Sequence, residues 1–507
     1  MNAPGPRAGV LLHVTALPGP GERGTFGEAA HEWVTLLGRH GIRAWQLLPL
    51  APTDATGSPY SSPSGSALNP ALLDADRLLR EGWISASDLD ELSHPCNADA
   101  LASALQRAWP AQGPTRQRAF RRWCRSERFW LKDHCRFMVL RRLQGGAPWW
   151  QWPPELALRQ PQAMRRLDQD QAGALQAEAL IQWQLQNQWS SLQRRARAVG
   201  VQLIGDLPFY VAHDSADVWA RPRLFSLGPG GSLLQQSGVP PDYFSATGQL
   251  WGTPVYRWGV HLGSGFRWWM LRLLRQLELF DLLRLDHFRA LQAYWSVPGS
   301  DDTAEHGHWR PSPGWLLLAL LWLRCGFSGQ LQSCRLRLIA EDLGVITPPV
   351  EALRDRFGLS GMKILQFAFD GNPENPYLPA NIHGRRWVVY TGTHDNATSL
   401  GWWHQLDGDS RARVEAAVGG AVTAPGWQLL ELALATPAEL VIVPLQDLLE
   451  LGDEARFNTP GTTGPQNWTW RLDRPIAALD GPLKGYGELA AAAGRGEGVS
   501  ATVKVPG

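Results

Sequence analysis

The sequence predicts an α/β chain folded as a (β/α)8 TIM barrel with large helical and loop insertions between strands. Three observations predict it. Eight short apolar segments run without polar alternation, at 10–13, 42–50, 201–207, 280–285, 336–340, 363–369, 387–390 and 439–444. Continuous runs of that kind suit parallel strands covered on both faces. Helical patterns lie between them, and strand–helix alternation repeated about eight times argues for a barrel. Finally, 507 residues exceed the roughly 250 of a bare barrel and leave room for insertions. A doubly wound open sheet is the structural alternative.

Taken in order, residues 1–70 carry the first two strands and a loop at the barrel rim. Residues 71–200 are rich in Arg, Gln, Leu and Trp and read as a mainly helical insertion. Its last helix shows Leu185, Trp189, Leu192, Ala196 and Val199 stepping by four and three, with Gly200 as a stop. Residues 201–490 hold strands three to eight. They include a long Gly-, Pro- and aromatic-rich loop at 225–258, and loops of that length in a compact chain usually serve function. Residues 491–507 are small and Gly-rich and read as a flexible tail.

Composition excludes several classes. Hydrophobic residues make up 44 % and charged residues 19 %, so a large core is expected and disorder is not. A net charge of +1 gives no field for nucleic acid or a membrane surface. The longest apolar run, 315–323, is too short to span a bilayer. The five cysteines show no CxxC spacing, and no signal-peptide pattern opens the chain. A cytoplasmic, reducing location is the expectation. Trp is abundant, at 26 residues; most are expected to pack helices, and some to stack on sugar rings.

Barrels place their chemistry at the C-terminal ends of strands. The polar residues there are His13, Asp206, Arg284, Asp286, His287, Glu341, Asp342, His394 and Asp395. Singly each has a bland reading: a helix cap for Asp286, a hydrogen-bonded turn for His394-Asp395-Asn396. Together, Asp286, Glu341 and Asp395 at three strand ends point to glycosidic chemistry. That chemistry needs one carboxylate at the sugar centre and a protonated one at the leaving oxygen. No HxH or HExxH pattern supports a metal site, and no cofactor or metal is expected.

These residues also carry a resemblance. Leu283-Arg284-Leu285-Asp286-His287-Phe288-Arg289, Ala340-Glu341-Asp342-Leu343-Gly344 and Tyr390-Thr391-Gly392-Thr393-His394-Asp395-Asn396 resemble the three catalytic strands of the 4-α-glucanotransferases. This family (amylomaltase or disproportionating enzyme, glycoside hydrolase family 77) belongs to the α-amylase clan. Further matches follow in family order. They are Leu11-Leu12-His13, Trp45-Gln46-Leu47-Leu48-Pro49-Leu50, Ser58-Pro59-Tyr60, Gly205-Asp206-Leu207-Pro208, the stretch from Gly238 through Asp242 to Trp251-Gly252, and Pro460-Gly461-Thr462 before Asn467-Trp468. The chain departs from the family at Arg23-Gly24-Thr25-Phe26-Gly27, at Ser64–Leu68 and at Ala397. These departures bear on acceptor preference and not on the three carboxylates.

The resemblance implies Asp286 as nucleophile, Glu341 as acid/base and Asp395 as a holder of the donor sugar's hydroxyls. It implies substrate-binding roles for Tyr60, Asp206, Asp242, Trp251, Arg284 and His394, with 225–258 as the substrate-covering loop. Arg284 lies two residues before Asp286, so both side chains share a strand face. From there it is expected to keep Asp286 ionised. The implied reaction moves a segment of an α-1,4-glucan to the 4-hydroxyl of another glucan or glucose. The partners implied are α-1,4-glucans and maltooligosaccharides as donor and acceptor. An α-glucan hydrolase of the same clan, or an inactive glucan-binding protein, remain the alternatives.

Overall fold

A computed structural model describes residues 5–19, 21, 23–92, 98–241, 246–327, 329 and 335–496. In those residues the strands are β1 (Arg7–Leu11), β2 (Ala44–Gln46), β3 (Gln202–Leu207), β4 (Gln235–Val239), β5 (Gln249–Pro254), β6 (Leu282–Leu285), β7 (Ala293–Pro298), β8 (His308–Pro311), β9 (Leu338–Ala340), β10 (Gly361–Ile364), β11 (Trp387–Tyr390) and β12 (Leu440–Pro444).

Eight of them form one parallel sheet in the order β10-β11-β12-β1-β2-β3-β6-β9. The ring closes between β9 and β10 through a single parallel bridge, Ile339–Ser360, with Ala340 N–H donating to Ser360 O at 2.8 Å. The expected (β/α)8 barrel is therefore present. All eight apolar segments supply a strand, because both faces of each are covered and no polar alternation is needed. The sixth strand sits two residues early: β10 starts at Gly361, and Leu365–Phe367 turn into a 3-10 helix.

The interior is filled by side chains. Gln46 on β2 reaches across to Tyr390 on β11, whose hydroxyl donates to it at 2.8 Å, and both are buried. Tyr486, buried on the last helix, donates its hydroxyl to Gly9 O on β1 at 2.9 Å.

The helical insertion is not a separate body. Its last helix, Ala172–Ala198, is 27 residues long, and its C-terminal half is the barrel helix before β3. There Trp189 is fully buried between Phe26 and Phe280, with ring centroids 5.1 and 5.5 Å away. Its indole N–H donates to Leu279 O at 3.0 Å. Truncating such an indole costs about 3–5 kcal/mol.

The loop expected at 225–258 is largely ordered structure. β4 and β5 form an antiparallel hairpin, and β7 and β8 extend it to four strands in the order β5-β4-β7-β8. Short strands with a bulge at Gln236–Gly238 left little periodicity to read. At the far end the helix Asp480–Ala492 runs past the expected start of the tail at 491. Arg495 is buried there and donates to the Leu434 and Ala438 carbonyls at 3.0 and 2.7 Å. The remaining 497–507 lie outside the described residues. Among the described residues no helix is long and apolar enough to cross a membrane.

Candidate active site at the barrel rim

The register of the barrel assembles the site. Asp206 and Arg284 are directly paired across β3 and β6, so both side chains enter the ring at one level. The Arg284 guanidinium donates to both Asp206 oxygens, at 2.9 and 2.8 Å. The same nitrogen lies 2.9 Å from Asp286 Oδ1. Asp206 is 1 % exposed and Arg284 4 %, so each charge depends on the other. Against the pull of burial, Asp206 and Asp286 push Arg284 further above its ordinary value.

Tyr60 completes this end. Its hydroxyl donates to Asp206 Oδ2 at 2.8 Å and stands 2.8 Å from His394 Nε2. One hydroxyl has one proton, already given to Asp206. His394 Nε2 must therefore carry its own and donate to the phenol oxygen. The two rings lie 5.4 Å apart and nearly parallel, at 10°. Burial holds His394 below its ordinary value, so the ring is neutral at neutral pH.

Asp395 follows β11. Asn458 donates to its Oδ1 at 2.6 Å, Arg456 holds its backbone carbonyl at 2.7 Å, and His394 Nε2 is 3.3 Å from Oδ2. The carboxyl remains 43 % exposed to the cleft.

Glu341, after β9, sits on backbone amides. His287 N–H reaches Oε2 at 2.6 Å, and Leu343 N–H reaches Oε1 at 3.1 Å. His287 can aim its amide because its backbone is left-handed, at φ 52°. That conformation is rare for a residue with a side chain and marks a held geometry.

Asp286 and Glu341 are both pushed up. For Asp286 the cause is burial, reinforced by Asp206, Glu341 and Asp395 and opposed by Arg284. For Glu341 it is burial, opposed by Arg284 and the two amides. Arg284 opposes this rise, in the direction expected of it, without cancelling the effect of burial. Asp286 keeps 31 % of its side-chain surface open, and the burial of the rest outweighs the pull of Arg284.

Trp251 projects from β5, 36 % exposed. Its ring centroid is 4.9 Å from His287, edge to face, and 6.0 Å from Tyr210. The loop bearing Tyr210 is pinned by Arg272, which donates to the Phe209 and Pro208 carbonyls at 2.9 and 2.6 Å.

So the structure brings together Tyr60, Asp206, Arg284, Asp286, Glu341, His394 and Asp395, with Trp251 beside them. Asp242 lies outside the described residues. Sequence reasoning missed Asn458, Arg456 and the His287 amide. Asn458 stands just before the Pro460-Gly461 turn, where a lone Asn looks like turn chemistry. A backbone N–H carries no sequence signal. Among the described residues no cluster of His, Cys, Asp and Glu could hold a metal ion.

A parallel barrel with carboxyls grouped at its C-terminal rim suits an enzyme acting on glycosidic bonds. Comparison with known proteins narrows the class. The profile of the family described as 4-alpha-glucanotransferase matches residues 12–477. The chain is 43 % identical over 484 residues to a 4-alpha-glucanotransferase of Thermus thermophilus, covering 92 % of this chain and 95 % of that one. It is 41 % identical over 483 residues to one from Synechocystis, covering 92 % and 93 %. The amylomaltase from Streptococcus agalactiae, solved with acarbose, superposes with a TM-score of 0.90 at 32 % identity, over 97 % of this chain and all of that one. The chain belongs to the 4-α-glucanotransferase family and is an enzyme of that type.

Proposed function

We propose that the enzyme moves α-1,4-glucan segments by a retaining double displacement in which Asp286 is the nucleophile and Glu341 the acid, then the base. Asp286 attacks C1 of the donor sugar while Glu341 protonates the departing oxygen. The shortened glucan leaves. The 4-hydroxyl of a second glucan, or of glucose, then loses its proton to Glu341 and attacks C1, so that a new α-1,4 bond forms. The observation that carries this reading is the geometry at the rim, with the Arg284 guanidinium 2.9 Å from Asp286 Oδ1 and Glu341 held on the next strand end by the His287 and Leu343 amides.

Glu341 is near enough to Asp286 to raise it, and that like charge also supplies the switch between steps. Once Asp286 is esterified to the sugar its negative charge is gone. Glu341 then loses a like-charged neighbour while keeping the His287 and Leu343 amides, so its pKa falls and it becomes the better base. Asp395, oriented by Asn458, binds the donor sugar's hydroxyls and favours its distorted form. Tyr60, Asp206 and His394 line the donor end, and Trp251 stacks on the glucan beyond it. Asp242 joins them on resemblance alone. Five cysteines without paired spacing suit a reducing cytoplasm.

Incubation with maltotriose tests the reading. A ladder of longer maltodextrins is expected; only shorter products would mean that water resolves the intermediate. A retaining site also requires the Asp286 and Glu341 carboxyls about 5–5.5 Å apart in a substrate complex, and about 9 Å would contradict the double displacement.

A further inference from the structure

We infer that Asp342, one residue beyond the acid, is a positioning residue that closes the weakest seam of the barrel and thereby holds Glu341 in place. The inference rests on the acid role proposed for Glu341.

The seam is defined by the ladders. β1 and β12 share five paired positions, β3 and β6 four, and β10 and β11 four. Between β9 and β10 only the Ile339–Ser360 bridge remains. The next amide on β10, Met362 N–H, takes no backbone carbonyl. It donates instead to Asp342 Oδ1 at 2.7 Å, so a side-chain carboxyl stands in for a missing rung.

The other oxygen is spoken for as well. Asp342 Oδ2 accepts from Arg354, and both side chains are buried. The Arg354 guanidinium lies 4.6 Å from the Trp387 ring, and Lys363 Nζ lies 4.2 Å from the same ring. Trp387 opens β11, the strand that leads to His394 and Asp395. One carboxyl therefore ties the acid's strand to the two strands after it. Position 361 is glycine for this reason. A Cβ there would stand 2.5 Å from Asp342 Oδ2 and 2.6 Å from Trp387 Cζ3.

Asp342 points away from the cleft on the face opposite Glu341, so it touches no sugar. Its leverage is on the 341–343 turn. Glu341 Oε1 accepts from Leu343 N–H, and Asp342 anchors the residue between them. Releasing that anchor frees the acid while leaving Asp286 with Arg284.

The experiment compares two donors in Asp342→Asn and, as a gentler variant, Arg354→Lys. Maltotriose needs its leaving oxygen protonated, whereas α-maltotriosyl fluoride carries a leaving group that does not. Asp342→Asn should lower kcat on maltotriose about tenfold or more, the scale of a small misplacement of a catalytic group, with KM changed less than threefold. Its single-turnover fluoride release should stay within about threefold of the unaltered enzyme, and Arg354→Lys should show the same pattern more weakly. Equal loss on both donors in a variant whose thermal unfolding is unchanged would overturn the inference, as would no loss on either. Glu341→Ala in parallel separates the two readings. If it too loses equally on both donors, the acid role itself fails. If it shows the donor split and the Asp342 variants do not, only the positioning role fails.

Discussion

The proposed donor end of the cleft and the hairpin beside it are built on opposite plans. At the donor end, Asp206 and Arg284 are almost wholly buried, and Tyr60, Arg284 and His394 are linked by hydrogen bonds of 2.8–2.9 Å. On the hairpin, Trp251 is 36 % exposed and meets its neighbours by ring contacts and one long hydrogen bond, its indole N–H donating to Gln249 at 3.4 Å. A sugar that must be distorted meets fixed dipoles, which lose nothing to reorganisation. A polymer of variable length meets an aromatic face, which tolerates many registers. Rigidity is thus placed where bonds change and adaptability where chains slide.

Four substitutions break or sharpen that contrast, from the largest effect to the smallest. Asp286→Asn removes the proposed nucleophile and should cut transfer from maltotriose on the order of 10³-fold or more. The same variant should unfold at higher temperature above the ordinary carboxylate range. Because the folded pKa of Asp286 is raised, its contribution to stability is full at low pH and is lost as pH rises through that pKa. The amide has no charge to lose. By the same sign, the acid limb of kcat/KM in the unaltered enzyme should lie above the ordinary carboxylate range, and a limb near pH 4 would contradict the burial argument. Arg284→Met strands Asp206 without a counter-charge and should cost about 3–5 kcal/mol of stability, read by denaturant unfolding. Tyr60→Phe deletes the hydroxyl shared by Asp206 and His394 and should lower kcat roughly tenfold, about 1–2 kcal/mol. Trp251→Ala should change stability by less than about 1 kcal/mol and raise KM for long maltodextrins roughly fivefold. A Trp251 effect on kcat as large as that of Tyr60 would erase the distinction between the two regions.

The barrel was legible because its strands announce themselves. Runs such as Leu440–Pro444 are apolar on both faces, and few folds ask for that eight times over. The carboxyls were legible because a strand end is a fixed address. What escaped had no local signature. β10 was displaced because KILQFAF continues the apolar run past Ile364, and only the 3-10 turn at Leu365–Phe367 ends the ladder. The hairpin β4–β5 was read as a loop because Gly- and Pro-rich strands this short pair through tertiary neighbours such as β7. The upward push on Asp286 had no local signature either, because Arg284 is two residues away in sequence, whereas the burial that outweighs it comes only with the folded ring. Asn458 and the His287 amide were invisible for the same reason.

The pairing of β1 with β12 sets a timetable for biosynthesis. Arg7 lies beside Leu440, about 430 residues later, which a ribosome takes roughly 20–90 s to make at 5–20 residues per second. For that interval β1 can be covered on one edge by β2 and has no second partner. Its other edge is an open template for any strand in reach. The helices between β2 and β3 emerge early, but Trp189 on the last of them waits for Phe280, so the nascent chain holds an unfinished insertion beside an unfinished ring. Slow translation, or a cell short of chaperones, should therefore lower the yield of this enzyme through its first strand and not through its active site.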